Sequence, residues 1–582
     1  MLLALGGALW LFVSGLSSKM DDFERIVASS GLSIALAVLA GCVSLFVGFR
    51  YVDLTTVCLL VALFVLFLAK HGLQKPKLKL EMRKRHLVPI SLCAIQLVLL
   101  ALYLHAFPFF PNNDAMDIVW HISLTDAVLR GQIVAPFTEL GSHALFAYVY
   151  SLVGGVLLES VRITVGAVDA LSVLVAYCMF SRLFPQYECA EYATIAFSLL
   201  MPAELIYYTG IGAYANIVGD FFVLLSLLLF LTALNHVAVS STVTLIVVQG
   251  LSLVSHISVL IFAGLMVRYS FILGHFGYRM RGSWLASVGF LAIPLLAVVI
   301  SPNIVAHELG YISTLNYVGV QSDPVLALTT WFANYAFLAG ALNFALVLIA
   351  LIATIVERRH YWASLLATWF ILLFLSIFFG SNGSRFILLS LVPGAGLVGL
   401  LLFRIQGYIR TLTQRVTSVK HSTKTLSTVI MICHLLSMTA TGPLTRIGSE
   451  VYIAEGSARQ KQLLVYESMA WLGSNASSGA VVVSVDLQKD YRYLPTLFNR
   501  TYVGDTFSCL YYQVHFDCLD NQSPATLLKL APVIHFNYIA ISTDFAGIQD
   551  YSHCQGLRTV FSNSQVIIFL ITDMSCDVAV NS

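Results

Sequence analysis

Charge is what this sequence has least of. Only 11% of its 582 residues are Asp, Glu, Lys or Arg, against about 25% in soluble proteins. That deficit excludes an ordinary soluble enzyme and a nucleic-acid-binding surface, and a hydrophobic content of 58% excludes a disordered chain. Low-complexity tracts and solenoid-type repeats are also missing. The opening run MLLALGGALWLFVSGLS lacks the basic start of a signal peptide and has another apolar run close behind it. It is therefore read as a retained span. What is present is apolar sequence, at a mean hydropathy of +0.85. A chain of this kind crosses a bilayer many times.

A bilayer span needs about 20 mostly apolar residues. Runs of this kind lie at 1–17, 31–50, 55–72, 88–107, 163–181, 191–208, 218–235, 240–255, 257–275, 285–301, 330–356, 362–380, 386–403 and 426–442. The expected fold is thus a polytopic α-helical membrane protein of about 13–14 spans, over 1–442. A shorter run, 144–158, is read as a re-entrant or interfacial helix.

Orientation follows from Lys and Arg in short loops. The segment 74–86, QKPKLKLEMRKRH, holds six basic residues and one acidic. The segment 404–424 carries Arg404, Arg410, Arg415, Lys420 and Lys424, while Arg279 with Arg281 and Arg358 with Arg359 mark two more basic loops. All four face the cytoplasm only if an even number of crossings separates 86 from 279. That parity holds when 144–158 stays on the outer side. The same accounting puts 108–162, 209–219, 302–325, 381–385 and everything after 442 outside, with Arg182 at an inner end.

Residues 443–582 break the composition: eight Lys/Arg, twelve Asp/Glu and no long apolar run. Cys509, Cys518, Cys554 and Cys576 fall here, an even set that allows three disulfide connectivities in an oxidising compartment. Sequons begin at Asn475, Asn499 and Asn521, and another at Asn382 in an outer loop. Residues 455–472 read as helix, and 480–486, 533–542 and 565–572 as strands. The segment is expected to be a small extracytoplasmic α/β domain with a partly parallel sheet.

The first large outer loop, 108–162, holds the most chemistry. A helical pattern over 115–130 stops at Gly131. Asp114, Asp117 and His121 recur at i, i+3 and i+7 and share one face, which Leu124 and Val128 continue toward the interior. Two carboxylates and an imidazole beside an apolar surface can hold a metal or a perturbed pKa. The same residues also fit structural roles: Asp114 as an N-cap, Asp117 as an anion in the first turn, His121 snorkelling at the interface.

With its acidic first outer loop and its soluble domain after the last span, the chain resembles the GT-C superfamily of membrane glycosyltransferases. That superfamily includes protein O-mannosyltransferases, aminoarabinose transferases and oligosaccharyltransferases. The Asp-Ile-Val-Trp-His of 117–121, running on to Gly131 and Pro136, resembles the Asp-aromatic-aromatic-His pattern of archaeal oligosaccharyltransferase-like members. The resemblance implies that Asp117 is the catalytic acid/base or metal-binding residue, with Asp114 as second choice. Arg162 resembles an arginine often carried at that point. YYTGIGAYANIVGDFF (207–222) stands where oligosaccharyltransferases carry a second acidic motif, but it offers only Tyr214, Asn216 and Asp220. The tail also lacks their Trp-Trp-Asp signature, so transfer of a single hexose or pentose is expected rather than en bloc transfer to asparagine.

The physical logic agrees. A lipid-borne sugar needs a wet site near the bilayer surface. Glycosyl transfer passes through an oxocarbenium-like transition state, and a carboxylate can accept the acceptor hydroxyl proton. The leaving phosphate needs a cation, either a side chain or a divalent ion such as Mg or Mn held by Asp114, Asp117 and His121. Arg385 and Arg500 are candidate outward-facing cations, and His307 with Glu308 could line the cavity. Asp169, Glu204 and His256 are further polar groups within or between spans.

The expected function is transfer of a sugar from a polyprenyl(dolichyl)-phosphate-linked donor to a glycan, lipid or protein acceptor. The expected location is the outer face of a plasma membrane, of archaeal type. Competing readings are a lipid-carrier flippase or transporter, and a non-catalytic envelope scaffold. The first lacks an inverted repeat or a matched pair of broken spans.

Overall fold

The computed structural model describes residues 2–72, 84–106, 116–131, 139–155, 157–184, 186–198, 214–233, 238–256, 329, 332–333, 341–357, 366, 383–416, 457–477, 480–485, 501–503, 523–534 and 536–576. Helices α1 (Leu2–Ser14), α2 (Asp22–Val47), α3 (Val52–His71), α4 (Leu87–Ala106), α5 (Met116–Leu129), α6 (Leu140–Val153) and α7 (Leu157–Leu183) come first. Then follow α8 (187–198), α9 (Tyr214–Ala233), α10 (Val239–Ser255), α11 (Ala341–Glu357) and α12 (Gly383–Val416). Six helices among the described residues are long and apolar enough to cross a bilayer. The protein is an α-helical membrane protein with a small C-terminal sheet domain.

Burial sorts the helices. Every residue of α9 is buried, as expected of a helix apolar on all sides at the centre of a bundle. By contrast, α3 shows Leu54, Val57, Val61, Phe64 and Val65 outward, and α4 shows Ile95, Val98 and Leu102. Such apolar faces suit lipid contact.

Side-chain ties define the two ends of the bundle. At one end, Asp21 and Glu24 form a reciprocal capping box at the start of α2, with Asp21 accepting from the Glu24 amide at 2.9 Å and Glu24 from the Asp21 amide at 3.0 Å. Arg85, just before α4, pairs with Asp21 at 2.8 Å, and Arg182, at the end of α7, pairs with Glu24. His86 stacks on Phe23 at 4.4 Å, and Arg85 covers the ring of Tyr187 at the start of α8. Lys70 at the end of α3 donates to the Val13 carbonyl and to Ser240. The flanks of the basic segment 74–86 and Arg182 therefore share one end, as the parity argument requires. These ties also explain why α2 begins at Asp22 and not at 31: its polar first turn is capped and paired instead of being left outside the helix.

At the opposite end, Ser142 at the start of α6 donates to the Ser255 carbonyl at 2.8 Å, and Tyr148 meets Thr56, near the start of α3, at 3.2 Å. Helix α6 is short, at 14 residues, or about 21 Å, and Gly154 with Gly155 lead straight into α7. It lies across this end without crossing the bundle. Gly41 of α2 allows the close approach, because a Cβ there would stand 2.5 Å from the Ala144 carbonyl oxygen.

Two boundaries differ from expectation. Helix α12 runs unbroken from Gly383 through Pro393 to Val416, so Arg404, Arg410 and Arg415 extend a helix and not a loop. In the tail, the strand expected at 533–542 starts only at Tyr538, because 524–534 is helical.

The C-terminal domain contains α13 (Ser457–Asn475), α14 (Pro524–Ile534), α15 (Ile548–Ser552) and strands β1 (Val481–Val485), β2 (Thr501–Val503), β3 (Tyr538–Ser542), β4 (Leu557–Ser562) and β5 (Val566–Ile571). The sheet order is β2-β1-β3-β5-β4, parallel across β2-β1-β3 and antiparallel at β5 and β4. Alternate side chains feed two cores. Ile539, Ile541 and Phe569 join Leu527, Leu528 and Tyr551, while Ala540 and Ile568 join Val465, Met469 and Leu472 of α13. Cys554 and Cys576 form a disulfide, consistent with an oxidising compartment. Cys509, Cys518 and the sequons at Asn382, Asn499 and Asn521 lie outside the described residues. Burial and the Glu159 carboxylate push the Tyr466 phenol upward.

Candidate functional site

The loop helix forms almost where the sequence puts it. Helix α5 spans Met116–Leu129 and stops at Gly131, whose φ of 77° is the left-handed conformation that ends helices. His121, Leu124 and Val128 are buried along one face, as the i, i+3, i+7 spacing requires. His121 is a buried residue at 3% exposure, so it does not snorkel.

Helix α6 supplies what the spacing argument missed. Glu139 is its N-cap and His143 lies in its first turn. His121 Nδ1 stands 2.9 Å from His143 Nε2 and 3.9 Å from a Glu139 carboxylate oxygen. The three residues offer donor atoms within 4.8 Å of one another, enough to hold a metal ion. The Glu-Leu-Gly-Ser-His spacing, i to i+4 at a helix start, was the available signal: it turns both side chains to one side. What no spacing could show is that α5 would bring His121 to the same point.

The electrostatics favour a neutral His143. The side chain has no exposed surface, and burial pushes it down to about 3, partly offset by the nearby Glu139 backbone. A neutral imidazole keeps a lone pair for a metal or an acidic hydrogen. Two ring nitrogens 2.9 Å apart are in hydrogen-bond contact; adjacent ligands on bonds of about 2.1 Å at a tetrahedral ion stand about 3.4 Å apart, so the rings would part slightly to admit one. Two imidazoles and a carboxylate suit Zn or Mn better than Mg, which prefers all-oxygen sets.

Residues from α7 and α9 close the site from behind. Tyr214, the first residue of α9, lies nearly parallel to the His121 ring, with centroids 6.1 Å apart. The Arg162 guanidinium of α7 lies beside the Tyr214 hydroxyl. Arg162, Asn216, Asp220 and Asp169 are all buried. His256, which follows α10, is buried at this same end, one residue beyond the carbonyl that Ser142 holds.

The remaining expected site residues are not brought into this picture. Asp117 and Arg385 fall in the first turns of α5 and α12, with their side chains outside the described set. Asp114, Glu204, His307, Glu308 and Arg500 lie outside the described residues.

No protein-family model matches the sequence, and no curated protein matches it at the sequence level. Solved structures do match its shape. ArnT from Cupriavidus metallidurans bound to undecaprenyl phosphate superposes with a TM-score of 0.54 at 13% identity, over 85% of this chain and 99% of that one. The oligosaccharyltransferase AglB from Archaeoglobus fulgidus, in complex with an inhibitory peptide and a dolichol-phosphate, gives 0.50 at 12% identity, over 78% and 69%. The same organism's oligosaccharyltransferase tethered to an acceptor peptide with an NVT sequon gives 0.51 at 12% identity, over 85% and 75%. Both relatives are GT-C glycosyltransferases. At these identities the likeness concerns architecture, and the architecture of this chain is the GT-C fold.

Proposed function

We propose that this protein is a glycosyltransferase that moves a single sugar from a polyprenyl-phosphate-linked donor to a glycan, lipid or protein acceptor. The reaction would occur at the bundle end away from the basic segment 74–86. The observation that carries the reading is the His121–Glu139–His143 cluster, whose two imidazoles are buried. It is set under a helix whose first turn holds Asp117, in a fold whose solved relatives bind undecaprenyl phosphate or dolichol-phosphate.

Each residue has a task in that reaction. Asp117 accepts the proton of the acceptor hydroxyl as the new glycosidic bond forms. His121, Glu139 and His143 would hold a divalent cation, which when bound supplies positive charge for the developing phosphate. Arg162, with Arg385 and Arg500, offers fixed guanidinium charge for the same phosphate, a geometry guanidinium forks suit. Tyr214, Asn216 and Asp220 line the helix that backs this end of the bundle. With both imidazoles buried, the site's dipoles act at low dielectric.

The deciding experiment is Asp117→Asn, assayed for transfer from labelled polyprenyl-phosphate sugars in membranes. Loss of transfer at normal expression supports the base. Undiminished transfer removes that role from Asp117.

A further inference from the structure

The strongest unexplained feature at this end of the bundle is Tyr214. A fully buried phenol at the first residue of a helix is an unusual core residue, and its two faces touch two different functional candidates. Its ring lies almost parallel to His121, at an interplanar angle of 21°. Its hydroxyl lies beside the Arg162 guanidinium. Helices α5, α7 and α9 therefore meet through one side chain, and α6 closes the far side of His121 with His143.

His121 needs such a wall. Its Nδ1 faces the His143 nitrogen at 2.9 Å and the Glu139 carboxylate. A quarter turn about the last side-chain bond would swing that nitrogen away from both partners and leave the cluster one donor short. The hydrogen bond alone resists this weakly, because the two rings can rotate together. A flat ring packed on a flat ring resists it sterically, and offset stacking adds its own preference at centroid separations of about 4.5–7 Å.

We infer that Tyr214 is a positioning residue: it clamps the plane of the His121 imidazole, the plane in which Nδ1 faces the His143–Glu139 donor pair. The inference rests on the assignment of those three residues as metal donors. The clamp belongs to the ring and not to the hydroxyl, so Tyr214→Phe should preserve it and Tyr214→Leu should abolish it while keeping the position apolar.

The test uses the full-length protein in lipid nanodiscs with two readouts. The first is Zn affinity by competition with a chromophoric chelator. The second is the rate at which diethyl pyrocarbonate modifies His121 in metal-free protein, followed by peptide mass spectrometry. Tyr214→Phe is expected to bind Zn within about threefold of wild type, while Tyr214→Leu weakens binding by about 10–100-fold, the range for removing a group that orients a metal ligand. His121 modification should quicken in Tyr214→Leu only. A purely packing role would lower the unfolding midpoint of both variants and leave Zn affinity and modification rate at wild-type values, which would overturn the clamp. Should wild type take up no Zn, the metal reading of the cluster falls, and the modification rates alone decide the clamp.

Discussion

Removing Arg182 tests whether the two ends of the bundle are as separate as the side-chain ties imply. Arg182 Nε donates to Glu24 at 2.7 Å, its second arm also meets that carboxylate, and it reaches the Lys19 carbonyl at 2.6 Å. The side chains are 25% and 10% exposed, so this pair is neither a surface ion pair nor a fully buried one. Exposed pairs contribute about 0–1 kcal/mol, and breaking buried ones costs about 3–5 kcal/mol. Arg182→Ala should therefore cost about 2–3 kcal/mol. Arg182→Lys should cost less, since it keeps charge but loses the fork. Glu24→Gln can keep the capping box while removing the charge. The assay is reversible unfolding in mixed micelles, run as a double-mutant cycle of Arg182→Ala with Glu24→Gln. A coupling of at least about 1 kcal/mol is expected for groups in direct contact. Arg162 lies twenty residues earlier on the same helix, about 30 Å away, so Zn affinity at the far end should not change. A cost below about 0.5 kcal/mol, or strictly additive variants, would refute the reasoning.

Three further outcomes are expected. Gly41→Val should destabilise the protein by about 1–3 kcal/mol, because the added carbon meets backbone at 2.5 Å. It should also weaken Zn binding, since the residue it displaces, Ala144, adjoins His143; unchanged unfolding midpoint and Zn affinity would count against the α2–α6 contact. Replacing Cys554 and Cys576 by Ser opens a loop of sequence separation 22 and should cost the tail about 3 kcal/mol, read as protease sensitivity confined to that domain. His143→Gln should lower Zn affinity while leaving the unfolding midpoint near wild type at neutral pH, because the imidazole it replaces is neutral there. Undiminished Zn binding would remove His143 from the donor set.

Much of this protein could be read without coordinates, and the reason is the solvent. A bilayer demands long apolar helices, so α2, α3, α4, α7 and α9 announce themselves by length and composition alone. Charge in short loops placed Arg85 and Arg182 at a common end, where the ion pairs with Asp21 and Glu24 now show them together. The helix over 116–129 and its stop at Gly131 were legible because period and terminator are local signals. Local too was the alternation that marked β1, β3 and β5, whereas β2 with its three residues and β4 with its bulge carried too weak a pattern.

Tertiary structure alone decided which residues share a site. The spacing in the sequence named Asp114, Asp117 and His121, since helical periodicity relates only residues of one helix. Folding also joins His121 to Glu139 and His143 of α6, and backs it with Tyr214 of α9 and Arg162 of α7. That meeting depends on α6 lying across the end of the bundle, which depends on the absence of a side chain at Gly41 and on the grip of Ser142 on the Ser255 carbonyl. Periodicity determines which way a side chain points within its own element. Which other element it points at is set by packing among helices far apart in the chain.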